Sequence, residues 1–134
     1  MDLAEAGVRA MSGSIHHGHL MCECRLFGTE VLRRLVPTDY AVDAVTAAKA
    51  LVGAWLCRRL EDGTVMRRHI TETEAYCGEE DTACHAHKGR TARTDVMYAP
   101  GGCAYIYLCY GMHEMLNVVT GAEGASRGRA YSRH

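Results

Sequence analysis

The chain has 134 residues, enough for one domain around one core and short of what two independently stable domains need. Apolar residues make up 48% of it and the formal net charge is -1, which excludes both a disordered polyelectrolyte and a protein that coats nucleic acid through overall basicity. The most apolar stretch, residues 41–56, is interrupted by Asp43, Lys49 and Gly53, and no basic segment leads into an unbroken apolar run, so neither a membrane span nor a secretory leader is expected.

Residues 1–36, with His16, His17 and His19 among glycines and serines, show no sustained period and read as a poorly ordered arm. From Pro37 the pattern sharpens. Thr38 or Asp39 can cap a helix over residues 40–52, with Val42, Val45, Ala48 and Val52 among its apolar positions and Gly53 as its stop. Residues 54–60 read as a strand, Asp62-Gly63 as a tight turn and residues 65–76 as the returning strand of a hairpin. Alternation along that second strand puts Arg68, Ile70, Glu72, Glu74 and Tyr76 on one face, and Arg67, His69, Thr71, Thr73 and Ala75 on the other.

Residues 77–102 are rich in Gly, Thr and charge. They pass from acidic Glu79, Glu80 and Asp81 to basic His87, Lys88, Arg90 and Arg93, and read as an active loop or a loop with a short helix. Residues 103–109 and 113–120 flank Tyr110-Gly111-Met112 as a second hairpin with Tyr110 at its tip. Residues 121–134 carry no apolar period and read as a loose tail.

Three constellations of residues compete for the chemistry. The first is Glu72 or Glu74 beside Tyr76, with Tyr105, Tyr107 and Tyr110 further on. Tyrosines at this density can stack a flat ligand such as a nucleobase, and a carboxylate beside the stacked base can activate water. The second is zinc held by Cys77, Cys84, His85 and His87, but the spacing lacks the usual gaps of structural zinc ligands, and the H-x-E and P-C-x-x-C elements of zinc deaminases are absent. The third is covalent catalysis, for which only Lys49 and Lys88 are available as amines. Against all three stands a plainer alternative: glutamates that are solvated or paired with Arg68, and tyrosines that are half-buried strand packing. Seven cysteines, an odd number, fit a reducing compartment and are expected mostly as small core residues.

Three segments taken in order carry more than any one of them: TETEAY, EEDTACHAHKGRTART and VMYAPGGCAYIYLCYGMHEMLNVVTG. Over residues 39–121 the chain resembles the alkyladenine (3-methyladenine) DNA glycosylase family. The resemblance implies an α+β fold, a single mixed domain whose curved antiparallel β-sheet holds the two hairpins and is flanked by helices. Residues 37–121 would belong to that domain, with residues 1–36 as the arm and 122–134 as a tail outside it.

The same resemblance implies a monofunctional hydrolase of base-excision repair, which flips a damaged purine out of double-stranded DNA and cuts its N-glycosidic bond with water. Glu74 falls at the position of the catalytic carboxylate, with Glu72 as its neighbour. Tyr76 and Tyr107 fall where the flipped base is stacked, His85 forms a third wall, and Asn117 lies near the pocket floor. Tyr110 falls at the DNA-intercalating position, and Arg90 and Arg93 lie in the loop near the DNA backbone. No metal and no cofactor are implied. The expected setting is a monomer acting on DNA in a bacterial cytoplasm or a nucleus, without membrane attachment or secretion.

Ala92 and Glu79 stand where the family usually has proline. After Gly121 nothing matches the further strands and helix of the family, and GAEGASRGRAYSRH has the bias of an out-of-frame reading of GC-rich DNA. The expectation is therefore a truncated or frameshifted member whose fold is incomplete at the C-terminus, checked by translating the DNA beyond the Thr120 codon in all three frames. Two alternatives accompany it: a non-catalytic remnant that at most binds DNA, and a small zinc-binding module.

Overall fold

Asp43 decides where the helix begins. In a computed structural model of the chain, which describes residues 20–25, 32–121 and 129–133, its carboxylate accepts the Thr46 N–H at 2.9 Å and the Thr46 hydroxyl at 2.6 Å. This satisfies an amide that the first turn leaves open and starts helix α1, Ala44–Leu51. Asp43→Ala should lower the thermal midpoint by a few degrees, and Asp43→Asn should recover most of the loss.

The helix is shorter than the 40–52 expected from periodicity, because Pro37–Tyr40 forms a separate 3₁₀ turn. Asp39 serves that turn instead of α1. It accepts the Val36 N–H at 2.7 Å and both prongs of the Arg33 guanidinium at 2.7 and 2.8 Å. The Arg33 hydrogen bonds, with smaller help from the Val36 amide, hold the Asp39 carboxyl below its ordinary range. A depressed carboxylate stabilises the fold above the unfolded-state pKa, and that contribution is lost as pH falls through the lower folded value. In acid titrations the stability gap between the native chain and Asp39→Asn should therefore be full near neutrality and close in the acid range.

Eight strands complete the described fold, all paired antiparallel. One sheet runs β2-β1-β3-β4, from β1 (Leu20–Arg25), β2 (Leu32–Arg34), β3 (Trp55–Arg59) and β4 (Val65–His69). The other runs β5-β8-β7-β6, from β5 (Glu72–Tyr76), β6 (Ala104–Cys109), β7 (His113–Val119) and β8 (Arg129–Arg133). The α+β reading holds, as do both expected hairpins. Gly63 supplies the positive φ of +84° on which the first depends, and the second turns at residues 110–112.

The strand expected over residues 65–76 is instead two strands in two sheets. Ile70 sits at the crossing, its N–H on the Ala54 carbonyl at 2.9 Å and its carbonyl accepting the Gly53 N–H at 2.8 Å. Its side chain is buried with Leu35, Tyr40, Ala47, Ala48 and Leu51, so it belongs to the α1 layer and leaves the face on which alternation had grouped it with Glu74. Past the break the period of two resumes. Thr73 donates to the Ala48 carbonyl at 2.8 Å and Ala75 packs against the same cluster, which turns Glu74 and Tyr76 the other way.

The tail also differs from expectation. Its residues 129–133 form β8 between β5 and β7, where Tyr131 is in register with both Glu74 and Asn117. Strand pairing satisfies backbone amides and carbonyls and needs no apolar period, so a small, polar sequence can supply it. The arm expected over residues 1–36 contains β1 and β2; its residues 1–19 and 26–31, with the three histidines, lie outside the described residues, as do 122–128 and 134.

Candidate active site

Pairing of β6 with β7 builds one wall of a cleft. Tyr105 faces Asn117 and Tyr107 faces Met115, and a spacing of two places both tyrosines on one side of the sheet, with ring centroids 5.5 Å apart and planes 33° from parallel. The loop between β5 and β6 covers this wall through its buried Cys84, Ala86, Val96, Met97 and Tyr98, which form a second core with Tyr105 and Val119. That packing carries His85 to the tyrosines. Its Nδ1 lies 3.0 Å from the Tyr105 hydroxyl, and its ring centroid 4.5 Å from that of Tyr107. When Tyr105 donates this bond, the ring proton resides on Nε2, which becomes a donor.

Tyr76, His85, Tyr105, Tyr107 and Asn117 line the cleft together with Ala83, Cys84 and Met97. The space enclosed between them is about 40 Å³, so the cleft is a shallow, nearly closed slot between the rings. Asn117 is buried, and its amide nitrogen is spent on the Tyr105 and Met115 carbonyls at 3.0 and 3.3 Å, which fixes the side chain at the cleft floor.

Glu74 stands beside the cleft without being one of its walls. It is half-buried, and the Tyr76 hydroxyl donates to its Oε2 at 2.8 Å, so the ring that lines the cleft also orients the carboxylate. Glu72 is exposed. Tyr110 is 88% exposed at the tip of the β6–β7 hairpin, flanked by exposed Leu108 and Met112. It holds a φ of +52°, the left-handed region that L-residues enter at a cost.

The two loop arginines separate. Arg90 donates to Asp95 at 2.6 Å and lies 5.3 Å over the Tyr98 ring, whose hydroxyl donates to Glu79 at 2.6 Å; this is a brace within the loop. Arg93 instead lines a second cleft with His87, Lys88 and Thr91, which shares Ala83, Cys84 and His85 with the aromatic one. Tyr105, which holds His85 in place, was visible from sequence only as one tyrosine of an alternating pair. Met97 gave no signal, because an apolar residue in a polar loop does not report what it packs against, whereas buried Cys84 fits the expectation of cysteines as small core residues.

The donors that a zinc module would use do not converge. His87 Nδ1 is 2.8 Å from the Glu79 carbonyl, Cys84 is buried and Cys77 exposed, and among the described residues no three His, Cys, Asp or Glu side chains gather as a metal requires. Burial raises the Cys103 thiol, which keeps it protonated and inert. No helix among the described residues is long and apolar enough to cross a membrane.

Residues 38–129 match the sequence profile of the methylpurine-DNA glycosylase family. A protein of Psychrobacter cryohalolentis named "Putative 3-methyladenine DNA glycosylase" is 46% identical over 102 residues, covering 72% of this chain and 48% of that protein. Proteins of the same name from Myxococcus xanthus and Nitrosococcus oceani are 55% identical over 87 residues and 50% identical over 90, covering 64% and 67% of this chain and 44% and 42% of theirs. The chain thus spans about half the length of the curated relatives it matches. The match takes in the aromatic cleft, Glu74 and the Tyr110 tip, and with the profile covering well over half of its residues the chain belongs to the methylpurine-DNA glycosylase family.

Proposed function

We propose that this chain excises alkylated purines from double-stranded DNA by hydrolysing the N-glycosidic bond. The observation that carries the proposal is the hydrogen bond from Tyr76 to Glu74: the aromatic wall that would stack a flipped base also aims a carboxylate at the cleft's edge, where the sugar of that base would lie.

In this reading Tyr76, Tyr107 and His85 enclose the base. A purine that carries positive charge gains a cation-π term of about 0.5 to 2 kcal/mol on such rings, which a neutral base lacks. Asn117 limits which purine edges fit the floor. Glu74 takes a proton from water as the water oxygen bonds to C1′; the C1′–N bond breaks and its electron pair leaves with the purine, neutralising the alkylated ring. Tyr110 fills the gap left in the duplex, and Arg93 meets the backbone phosphates beside the extruded nucleotide.

The test is incubation of the full chain with duplexes carrying 7-methylguanine, whose alkylated ring bears the positive charge, and with duplexes carrying hypoxanthine or ethenoadenine. Free base should appear together with an alkali-labile abasic site. Folded protein, by circular dichroism, that binds such duplexes and releases no base would overturn the proposal in favour of a binding remnant.

A further inference from the structure

Two tyrosine hydroxyls around the aromatic cleft donate to carboxylates, Tyr76 to Glu74 at 2.8 Å and Tyr98 to Glu79 at 2.6 Å. Tyr105 differs. It is 3% exposed, and the one hydrogen-bond partner of its hydroxyl among the described residues is Nδ1 of His85, 3.0 Å away. Its backbone carbonyl accepts the Asn117 side-chain amide at 3.0 Å, and its ring packs in the loop core with Cys84, Met97 and Val119, so the hydroxyl is held from both ends.

A hydroxyl has one proton to donate, and a neutral imidazole has one N–H. With the imidazole proton on Nδ1, that proton would meet the Tyr105 oxygen and the hydroxyl proton would be left in the core without an acceptor. With Tyr105 as donor, Nδ1 accepts, the hydroxyl is satisfied and the imidazole proton resides on Nε2. Leaving a buried donor unpaired shifts an equilibrium by roughly 5- to 150-fold, so the second arrangement dominates.

His85 lines both the aromatic cleft and the neighbouring one that holds Lys88 and Arg93, with its ring centroid 4.5 Å from that of Tyr107. The imidazole thus stands between a seat for a flat base and a cationic surface suited to the phosphates of the same nucleotide. Purine ring nitrogens, carbonyl oxygens and phosphate oxygens all present lone pairs. An N–H on Nε2 can bond to any of them, and a bare Nε2 cannot.

We infer that Tyr105 is a positioning residue for His85: its buried hydroxyl fixes the imidazole as the neutral tautomer protonated on Nε2, which makes His85 a hydrogen-bond donor to a lone pair of the bound nucleotide. The second half of the inference rests on the proposed reading that the cleft takes a flipped purine nucleotide; the first half does not.

The tautomer is read on the full chain by long-range proton–nitrogen NMR at about pH 8, above the ordinary imidazole range. The His85 signals are those missing from the spectrum of His85→Phe. Nδ1 should carry the lone pair and Nε2 the proton in the native chain, and the two forms should mix in Tyr105→Phe. A proton on Nδ1 in the native chain overturns the inference, and so does a tautomer ratio that Tyr105→Phe leaves unchanged. The native spectrum decides this arm if Tyr105→Phe fails to fold.

Single-turnover excision supplies the second readout, as a double-mutant cycle. Tyr105→Phe should slow excision roughly three- to tenfold, the worth of one neutral hydrogen bond. With His85 already replaced by phenylalanine, the same change should cost less than about twofold, since the hydroxyl acts through the imidazole. Equal losses in both backgrounds would mean that Tyr105 acts by packing alone, and the inference falls. The two proposals fail separately: a native chain protonated on Nε2 that releases no base sinks the glycosylase reading and leaves the positioning by Tyr105 standing, and excision with equal losses sinks only this inference.

Discussion

Glu74→Gln should lower the single-turnover rate of purine excision by about a hundredfold or more while leaving the affinity for lesion-bearing duplex within a few-fold of native. A positioned general base contributes typically 10²–10⁴ in rate, and the substitution removes that capacity while keeping size and shape. The Tyr76 hydroxyl, which donates to Glu74 at 2.8 Å, can donate equally to the amide oxygen of glutamine, so the cleft wall stays where it is. Loss of rate with retained fold and binding is then a statement about the water step. Glu72→Gln is the internal control. It sits two residues away on the same strand but is exposed, and it should cost at most a few-fold. A Glu74→Gln protein that excises at near-native rate would place the base elsewhere.

Strand β5 and the residues before it show where sequence stops and structure begins. A period of two placed Glu72, Glu74 and Tyr76 on one face, and β5 keeps that arrangement. The same alternation carried back to Ile70 fails, because nothing in a run of alternating residues reports that a buried side chain is wanted by a helix from another part of the chain. Asp39 and Asp43 are both credible helix caps by type, and only the Arg33 bond and the 3₁₀ turn at Pro37 divide their roles. The two hairpin turns were legible because a glycine with positive φ is a local requirement.

The cleft itself was half legible. Tyrosines alternating along β6 announce a shared face, but the bond between His85 and Tyr105 spans twenty residues and depends on how Cys84, Ala86 and Met97 pack, which no local pattern encodes. Arg90 and Arg93 look interchangeable in a basic loop. Asp95 and Tyr98 capture the first and leave the second lining a cleft, a difference made by packing. Strand β8 was invisible, since its sequence carries no apolar period and its place between β5 and β7 is set by pairing with strands distant in the chain.

Tyr110→Gly should separate stability from function in opposite directions. The residue holds a φ of +52°, which costs an L-amino acid roughly 1–2 kcal/mol and a glycine nothing. Glycine gives back about 0.5–1 kcal/mol through the freedom of its unfolded chain. The ring is 88% exposed, so its removal forfeits little packing. The melting temperature should therefore hold or rise slightly. Excision from duplex should nevertheless fall by tens-fold, because unstacking a base step costs a few kcal/mol and the wedge that offsets it is gone. On a single-stranded oligonucleotide there is no stacked partner to displace, so the ratio of duplex to single-strand excision should drop steeply, and Tyr110→Phe should restore it. Duplex excision undiminished in Tyr110→Gly would remove the wedge from the mechanism and leave the strained tip without a purpose in catalysis.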